Sequence, residues 1–190
     1  MIKIQMTTRS FSVLLCLFLL GCGEPTEISS DSENQHQVAF PRENLLEKTV
    51  EQFFANSLLD SDGKKVSSKV LESKTVGLYF SAQWCPPCRQ FTPKLVNFRN
   101  DNTKDFEVVF ISSDRSSEDQ LAYMNDTGMQ WYTLEHGSSL TKLLASKFQV
   151  SGIPSLVILS PSGATITRNG RDDVLSNAKG ALVNWTKKPS

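Results

Sequence analysis

Trp84-Cys85-Pro86-Pro87-Cys88-Arg89 decides the reading of this chain. Two thiols three positions apart can close a short disulfide and reopen it. The stretch before them, Thr75-Val-Gly-Leu-Tyr-Phe80, is apolar and rich in strand formers. The stretch after them, from Cys88 to Asn100, has the spacing of a helix. A Cys-x-x-Cys where a strand passes into a helix names a reaction, thiol–disulfide exchange, as well as a shape.

Position assigns the two roles. Cys85 precedes the helix, so its sulfur is expected to face the positive helix terminus and to be the attacking thiol. A free thiol titrates near ~8.5, and helix N-termini lower this to roughly 3.5–7.5. Cys88 falls in the first turn, more buried, and is the expected resolving thiol. Pro87 suits the first helical position, where its missing N–H would have no partner anyway. Neither Pro86 nor Pro87 can donate an N–H to the Cys85 thiolate, so the nearest backbone donor is Cys88. Weaker stabilisation of the thiolate means a weaker oxidant. The competing reading is half of a zinc site, which needs four Cys or His ligands. The two histidines, His36 and His136, lie far from the pair and no second Cys pair exists, so no metal is expected.

Ile153-Pro154 opens a second apolar strand. A proline there is expected at a strand end or edge, and X-Pro bonds are the ones that adopt the cis form. A cis bond would aim the Ile153 backbone at the Cys pair and offer an extended substrate main-chain hydrogen bonds. From the residues alone, a trans proline that simply starts a strand is the ordinary alternative.

The 190 residues allow one domain with a substantial core. A formal net charge of zero gives no reason to expect a nucleic-acid partner. The N-terminus reads as an export signal: Lys3 and Arg9, then an apolar run from Phe11 to Leu20. That run is too short to span a bilayer, which takes about 20 residues. Its end, Leu19-Leu20-Gly21-Cys22, resembles the lipobox of bacterial lipoproteins, in which the Cys is lipidated and becomes the new N-terminus. An ordinary signal peptide or an uncleaved anchor are the alternatives. On the lipobox reading, residues 1–21 are signal, 22–40 a lipidated Cys22 and a polar tether, and 41–190 the domain. Cys16 leaves with the signal, and only Cys85 and Cys88 remain as thiols. Losing Lys3 and Arg9 leaves two more acidic than basic residues. The expected location is extracytoplasmic, on a bacterial membrane and on its periplasmic side in a two-membrane cell, where disulfides persist.

Within the domain, Pro41 to Ser57 has helical apolar spacing and Leu58 to Val66 reads as a hairpin turning at Asp62-Gly63. The helix after Cys88 is interrupted by Pro93, which is expected to kink it. Phe106 to Ser112 is a buried strand. Ser116 or Ser117 caps a helix to about Asn125, and Ser138 or Ser139 caps another through Phe148. Ser155 to Leu159 and Ala164 to Arg168 form a closing hairpin, and Ala178 to Trp185 a last helix. This order implies an α/β fold, a mixed sheet with helices on both faces.

The Trp-Cys-x-x-Cys, the later Ile153-Pro154 and Pro93 together resemble the thioredoxin fold. A closer resemblance is to its tryparedoxin and nucleoredoxin branch. It is carried by Leu78-Tyr-Phe-Ser-Ala-Gln-Trp-Cys-Pro-Pro-Cys-Arg-Gln-Phe-Thr-Pro-Lys-Leu95, Val109-Phe-Ile-Ser-Ser-Asp-Arg-Ser116, Met129-Gln-Trp131, Gly170-Arg171 and Trp185, in the family's order. The resemblance implies a thioredoxin-like fold, dithiol–disulfide exchange without a cofactor, and a cis Pro154. Thioredoxins keep a buried Asp six residues before the first Cys, where this chain has Tyr79, as in the tryparedoxin branch.

The site expected is therefore Cys85 and Cys88 for chemistry, with Trp84, Pro86, Pro87, Ile153 and Pro154 around the substrate. By resemblance Trp131 shares the rim with Trp84, core packing being the alternative for each. Arg89 reads as a solvated charge, and Asp114 with Arg115 as either a solvent-facing ion pair or a functional pair. The function expected is a monomeric, membrane-anchored reductase of disulfide-containing proteins, fed by an unidentified electron donor. The alternatives are a disulfide-forming oxidant and a thiol-bearing module that binds without turnover.

Overall fold

Strand β3, Thr75–Ser81, is buried at all seven positions. A strand this apolar on both faces must be covered on both, and the sheet is built around it. It pairs in parallel with β4, Phe106–Ser112, and antiparallel with β6, Ser155–Leu159. This computed structural model describes residues 49–187, and the expected signal, Cys22, the expected tether and the start of the expected 41–57 helix lie outside them. Of that helix the described part is α1, Val50–Phe53, closed by a capping box between Thr49 and Gln52.

The sheet has seven strands in the order β2-β1-β5-β4-β3-β6-β7. Its outer members are β1 (Leu58–Leu59), β2 (Lys65–Val66), β5 (Tyr132–Leu134) and β7 (Thr165–Thr167). The helices are α2 (Pro86–Asp101), α3 (Ser117–Thr127), α4 (Ser139–Lys147) and α5 (Gly170–Thr186). Strand side chains alternate between two cores. Tyr79, Phe106, Val108, Phe110, Leu156 and Ile158 meet Phe91, Leu95 and Phe98 of α2, Tyr123 of α3 and Trp185 of α5. Val76, Leu78, Phe80, Val109, Ile111, Val157 and Leu159 meet Val50 and Phe54 beside α1 and Leu144 and Phe148 beside α4. This is the α/β fold with a mixed sheet and helices on both faces that the order of elements implies, and it is thioredoxin-like, as the resemblance implies. Among the described residues no helix is long and apolar enough to cross a membrane.

The differences from expectation are local. Helix α2 runs unbroken through Pro93. Ser116 and Ser138 are the caps, each accepting an N–H three residues on. Strand β5 was not expected; its three residues carry no pattern, and pairing with β1 and β4 makes them a strand. Helix α5 begins at Gly170 rather than Ala178, and non-helical Asn177 divides it just before the expected start. The first half was missed because Arg171-Asp-Asp precedes a single apolar pair, Val174-Leu175.

One ion cluster fixes the far end of α2. Arg99, in the last turn, donates to Glu107 Oε1 and Oε2 at 2.8 and 2.9 Å. Lys74 reaches Glu107 at 3.4 Å, and Glu107 is 1% exposed. Removing one partner of such a pair leaves a buried charge, whereas replacing both with apolar groups is often near neutral. Arg99→Leu is expected to lower stability by about 3 kcal/mol in urea denaturation, and adding Glu107→Leu to recover at least half of that loss.

Candidate active site

The chain leaves β3 at Ser81 and turns through Ala82, Gln83 and Trp84. Cys85 N–H bonds to the Ala82 carbonyl at 3.2 Å, and Cys85 becomes the N-cap of α2. Its backbone is extended (φ −91°, ψ 109°), and its sulfur takes the place of a capping oxygen. Pro86 and Pro87 both lie inside the first turn, so Pro86 rather than Pro87 begins the helix. Cys88 therefore supplies the first helix N–H able to meet the sulfur, which it does at 3.3 Å. Cys85 and Cys88 are joined as a disulfide, with Cα atoms 5.2 Å apart. Cys85 is 4% exposed and Cys88 fully buried, so the attackable sulfur is that of Cys85.

The rest of the expected site gathers around this pair. The Ile153–Pro154 bond is cis, and the Ile153 carbonyl lies 3.8 Å from Cys85 Sγ. Ile153 packs with Ala82 and the two cysteines. Pro86 and Pro87 are exposed, and Trp84 is 52% exposed with its indole N–H held by the Ser113 carbonyl at 3.0 Å. Trp131 does not join this rim. It is buried, with its ring edge-on to Tyr79 at 6.4 Å, because it enters β5 on the face that packs under α2 and α3. Asp114 is buried rather than solvent-facing and makes no ion pair with Arg115.

Beneath the thiols lies a hydroxyl cluster that the sequence reading did not assemble. Thr92 Oγ1 donates to the Cys88 carbonyl at 2.9 Å, and the Tyr79 and Tyr123 hydroxyls reach Thr92 Oγ1 at 2.8 and 2.6 Å. Ser81 donates to the Tyr79 hydroxyl at 2.9 Å. With both tyrosines donating to Thr92, every O–H in the cluster has an acceptor. Burial, with Tyr123 beside it, pushes the Tyr79 phenol well above its ordinary value, so it stays neutral. Where thioredoxins hold a carboxylate, this position carries a phenol in an uncharged network. The signal in the sequence was faint: Tyr79 and Ser81 share a strand face, and Thr92 lies one turn after Cys88. Among the described residues no three His, Cys, Asp or Glu side chains gather to hold a metal ion.

Thr92 is the hub of that cluster. Thr92→Val keeps its shape and leaves the two buried phenols only longer contacts, Tyr79 to the Cys88 carbonyl at 3.5 Å and Tyr123 to Ser81 Oγ at 3.4 Å. It is expected to cost about 1–3 kcal/mol in urea denaturation of the oxidised protein. A change within ~0.3 kcal/mol would show that the network contributes no stability.

The geometry has counterparts in known proteins. The family described as Thioredoxin-like matches residues 73–165. Probable nucleoredoxin 1 of Arabidopsis thaliana is 43% identical over 129 residues, 66% of this chain and 22% of that protein. Nucleoredoxin of Homo sapiens is 36% identical over 146 residues, 75% of this chain and 33% of that protein. The chain thus spans a third or less of the length of these nucleoredoxins. Among solved structures, tryparedoxin of Trypanosoma brucei is 39% identical with a TM-score of 0.62, covering 70% of this chain and 93% of that one. Thioredoxin of Wuchereria bancrofti is 39% identical with a TM-score of 0.61, covering 70% of this chain and 94% of that one. With these relatives, the chain belongs to the thioredoxin-like family, on the branch that holds the tryparedoxins and nucleoredoxins.

Proposed function

We propose that this thioredoxin-like oxidoreductase works as a reductase of disulfides in extracytoplasmic proteins, anchored by a lipid on Cys22. The observation that carries the exchange chemistry is the Cys85 sulfur at the N-terminus of α2, facing the Cys88 N–H. The Cys85 thiolate attacks one sulfur of a substrate disulfide. An enzyme–substrate mixed disulfide forms, and the first substrate thiolate departs. Cys88 then loses its proton and attacks Cys85 Sγ, re-forming the internal disulfide and releasing the second substrate thiolate. The two released thiolates take up protons from Cys88 and from water. Two electrons and two protons from a donor outside the chain restore the dithiol.

The substrate's place follows from the exposed groups. Trp84, Pro86 and Pro87 form an apolar rim, and the cis Ile153–Pro154 turn presents main chain beside the sulfur. An extended segment flanking a disulfide fits such a surface. The lean toward reduction rests on the double proline, which leaves the Cys88 N–H as the sole nearby backbone donor from the motif. The proposed location rests on Leu19-Leu20-Gly21-Cys22 after an apolar run.

Three measurements separate the readings. Cys85→Ser is expected to abolish reduction of insulin disulfides, while Cys88→Ser accumulates a mixed disulfide visible on non-reducing gels. A binding module would hold its partner equally well in both variants. Equilibration with glutathione or dithiothreitol is expected to place the Cys85–Cys88 couple near about −270 mV. A value near about −120 mV would make the protein an oxidant. In a bacterial host, labelled fatty acid is expected to enter the full chain and to be lost in Cys22→Ala; equal labelling of the two would remove the anchor.

A further inference from the structure

Strand β4 ends beside the turn that carries the thiols. Ser81 and Ser112 are opposite in parallel register, and two residues further on Gln83 meets Asp114. Asp114 is 7% exposed, yet among the described residues it has no basic partner, and both its oxygens are engaged by uncharged donors. Oδ1 accepts the Gln83 backbone N–H at 2.7 Å, and Oδ2 accepts the Ser112 hydroxyl at 2.8 Å. Its own N–H donates to Ser112 Oγ at 2.9 Å, and its carbonyl lies 2.8 Å from His136 Nε2. On its N-terminal side, Ser113 donates to the Ser81 carbonyl at 2.9 Å and accepts the Trp84 indole N–H.

Burying a carboxylate without a counter-charge is costly, and a neutral side chain could close the same loop more cheaply. What the side chain supplies is an acceptor at the right place: the carboxylate makes the bond short and charge-assisted, and an amide oxygen there would keep the bond at roughly half that strength. That bond is spent on a single backbone N–H, two residues before Cys85. Exchange as described above employs no carboxylate, so Asp114 has no other task in it. The structure assigns Asp114 as a positioning residue: its carboxylate holds the 82–84 turn that aims Cys85 and Trp84 at the substrate. The chain of contacts is short. Asp114 fixes Gln83, the Cys85 N–H to Ala82 carbonyl bond closes the turn, and the sulfur is delivered to the Cys88 N–H. In-line attack on a disulfide is sensitive to such placement, since a shift of about 1 Å at a reacting group can cost ~100-fold in rate.

The inference rests on the exchange reading of Cys85, and two variants of the full chain test it. Asp114→Asn and Asp114→Ala both remove the charge, but only Asn keeps an oxygen for the Gln83 N–H. Their difference therefore reports positioning and not electrostatics. Two readouts apply: kcat/KM for insulin disulfides, and the pH profile of Cys85 alkylation by iodoacetamide, which needs no turnover. Asn is expected to stay within about threefold of the parent kcat/KM, and Ala to fall at least about tenfold. The alkylation midpoint of Ala is expected to lie about one pH unit above that of Asn, because a loosened turn takes the thiolate away from its helix terminus. Agreement of Ala with Asn in either readout overturns the proposal, whether both are active or both impaired, and even if Ala melts at a lower temperature. Should the Ala chain not fold, Asp114→Ser, which draws the acceptor back from Gln83, replaces it under the same criteria. Should the parent protein fail to reduce insulin, the exchange reading falls, and the alkylation comparison alone decides the role of Asp114.

Discussion

The bond from the Cys88 N–H to the Cys85 sulfur is the constraint on which the site depends. A helix begins with N–H groups that lack partners inside the helix. Here prolines occupy its first two positions and remove two of those donors. The remaining one is directed at the nucleophile, so the helix terminus and the thiol solve each other's problem: the N–H gains an acceptor and a thiolate gains a donor. The same contact sets the division of labour. The residue that caps must sit outside the helix, at the surface end, and the residue that donates must sit inside it, buried. The roles of attack and resolution in the proposed exchange rest on this helix geometry.

What lies below that contact distinguishes this chain from an ordinary thioredoxin. An ionisable carboxylate beneath the resolving thiol would couple its own titration to that of the thiol. The cluster of Tyr79, Ser81, Thr92 and Tyr123 carries no charge and ends on the Cys88 carbonyl. It therefore orders the first turn of α2 with hydroxyls alone. In the proposed exchange the proton of Cys88 has a substrate thiolate or water to go to, so the balance closes without a protein base. The buried carboxylate that does approach the active turn, Asp114, is bound to a backbone N–H and a serine hydroxyl.

The parts of the fold legible in the sequence are those where a local pattern and the tertiary environment agree. Phe106 to Ser112 and Ser155 to Leu159 are continuous apolar runs, and both form strands with the expected bounds because burial on two faces is itself the pattern. The cysteine spacing and the prolines announced the redox turn, since each has a local mechanical meaning. Strand β5 was hidden because three residues carry no period. Trp131 misled because a tryptophan in a short polar-flanked motif suits a rim and a core equally, and strand register decides between them. Asp114 reads equally as half of a solvent-facing ion pair with Arg115 or as a functional residue for the same reason: that it faces Gln83 follows from the β3–β4 register, which no residue in either strand spells out.

That register also explains why the site lies at one end of the central strands of the sheet. Parallel β3 and β4 end together at Ser81 and Ser112, and antiparallel β6 begins there, just after Pro154. Three backbone segments with unspent hydrogen-bonding groups therefore converge at one place. One segment carries the thiols, one holds the turn and the indole of Trp84, and one offers main chain beside the sulfur. The apolar strands pack the sheet up to those ends, and the polar contacts begin where the strands stop. A flexible loop could carry the same cysteines, but it could not hold Cys85 between a helix N–H on one side and a proline-locked carbonyl on the other. The convergence of these three strand ends turns a reactive pair of thiols into a directed one.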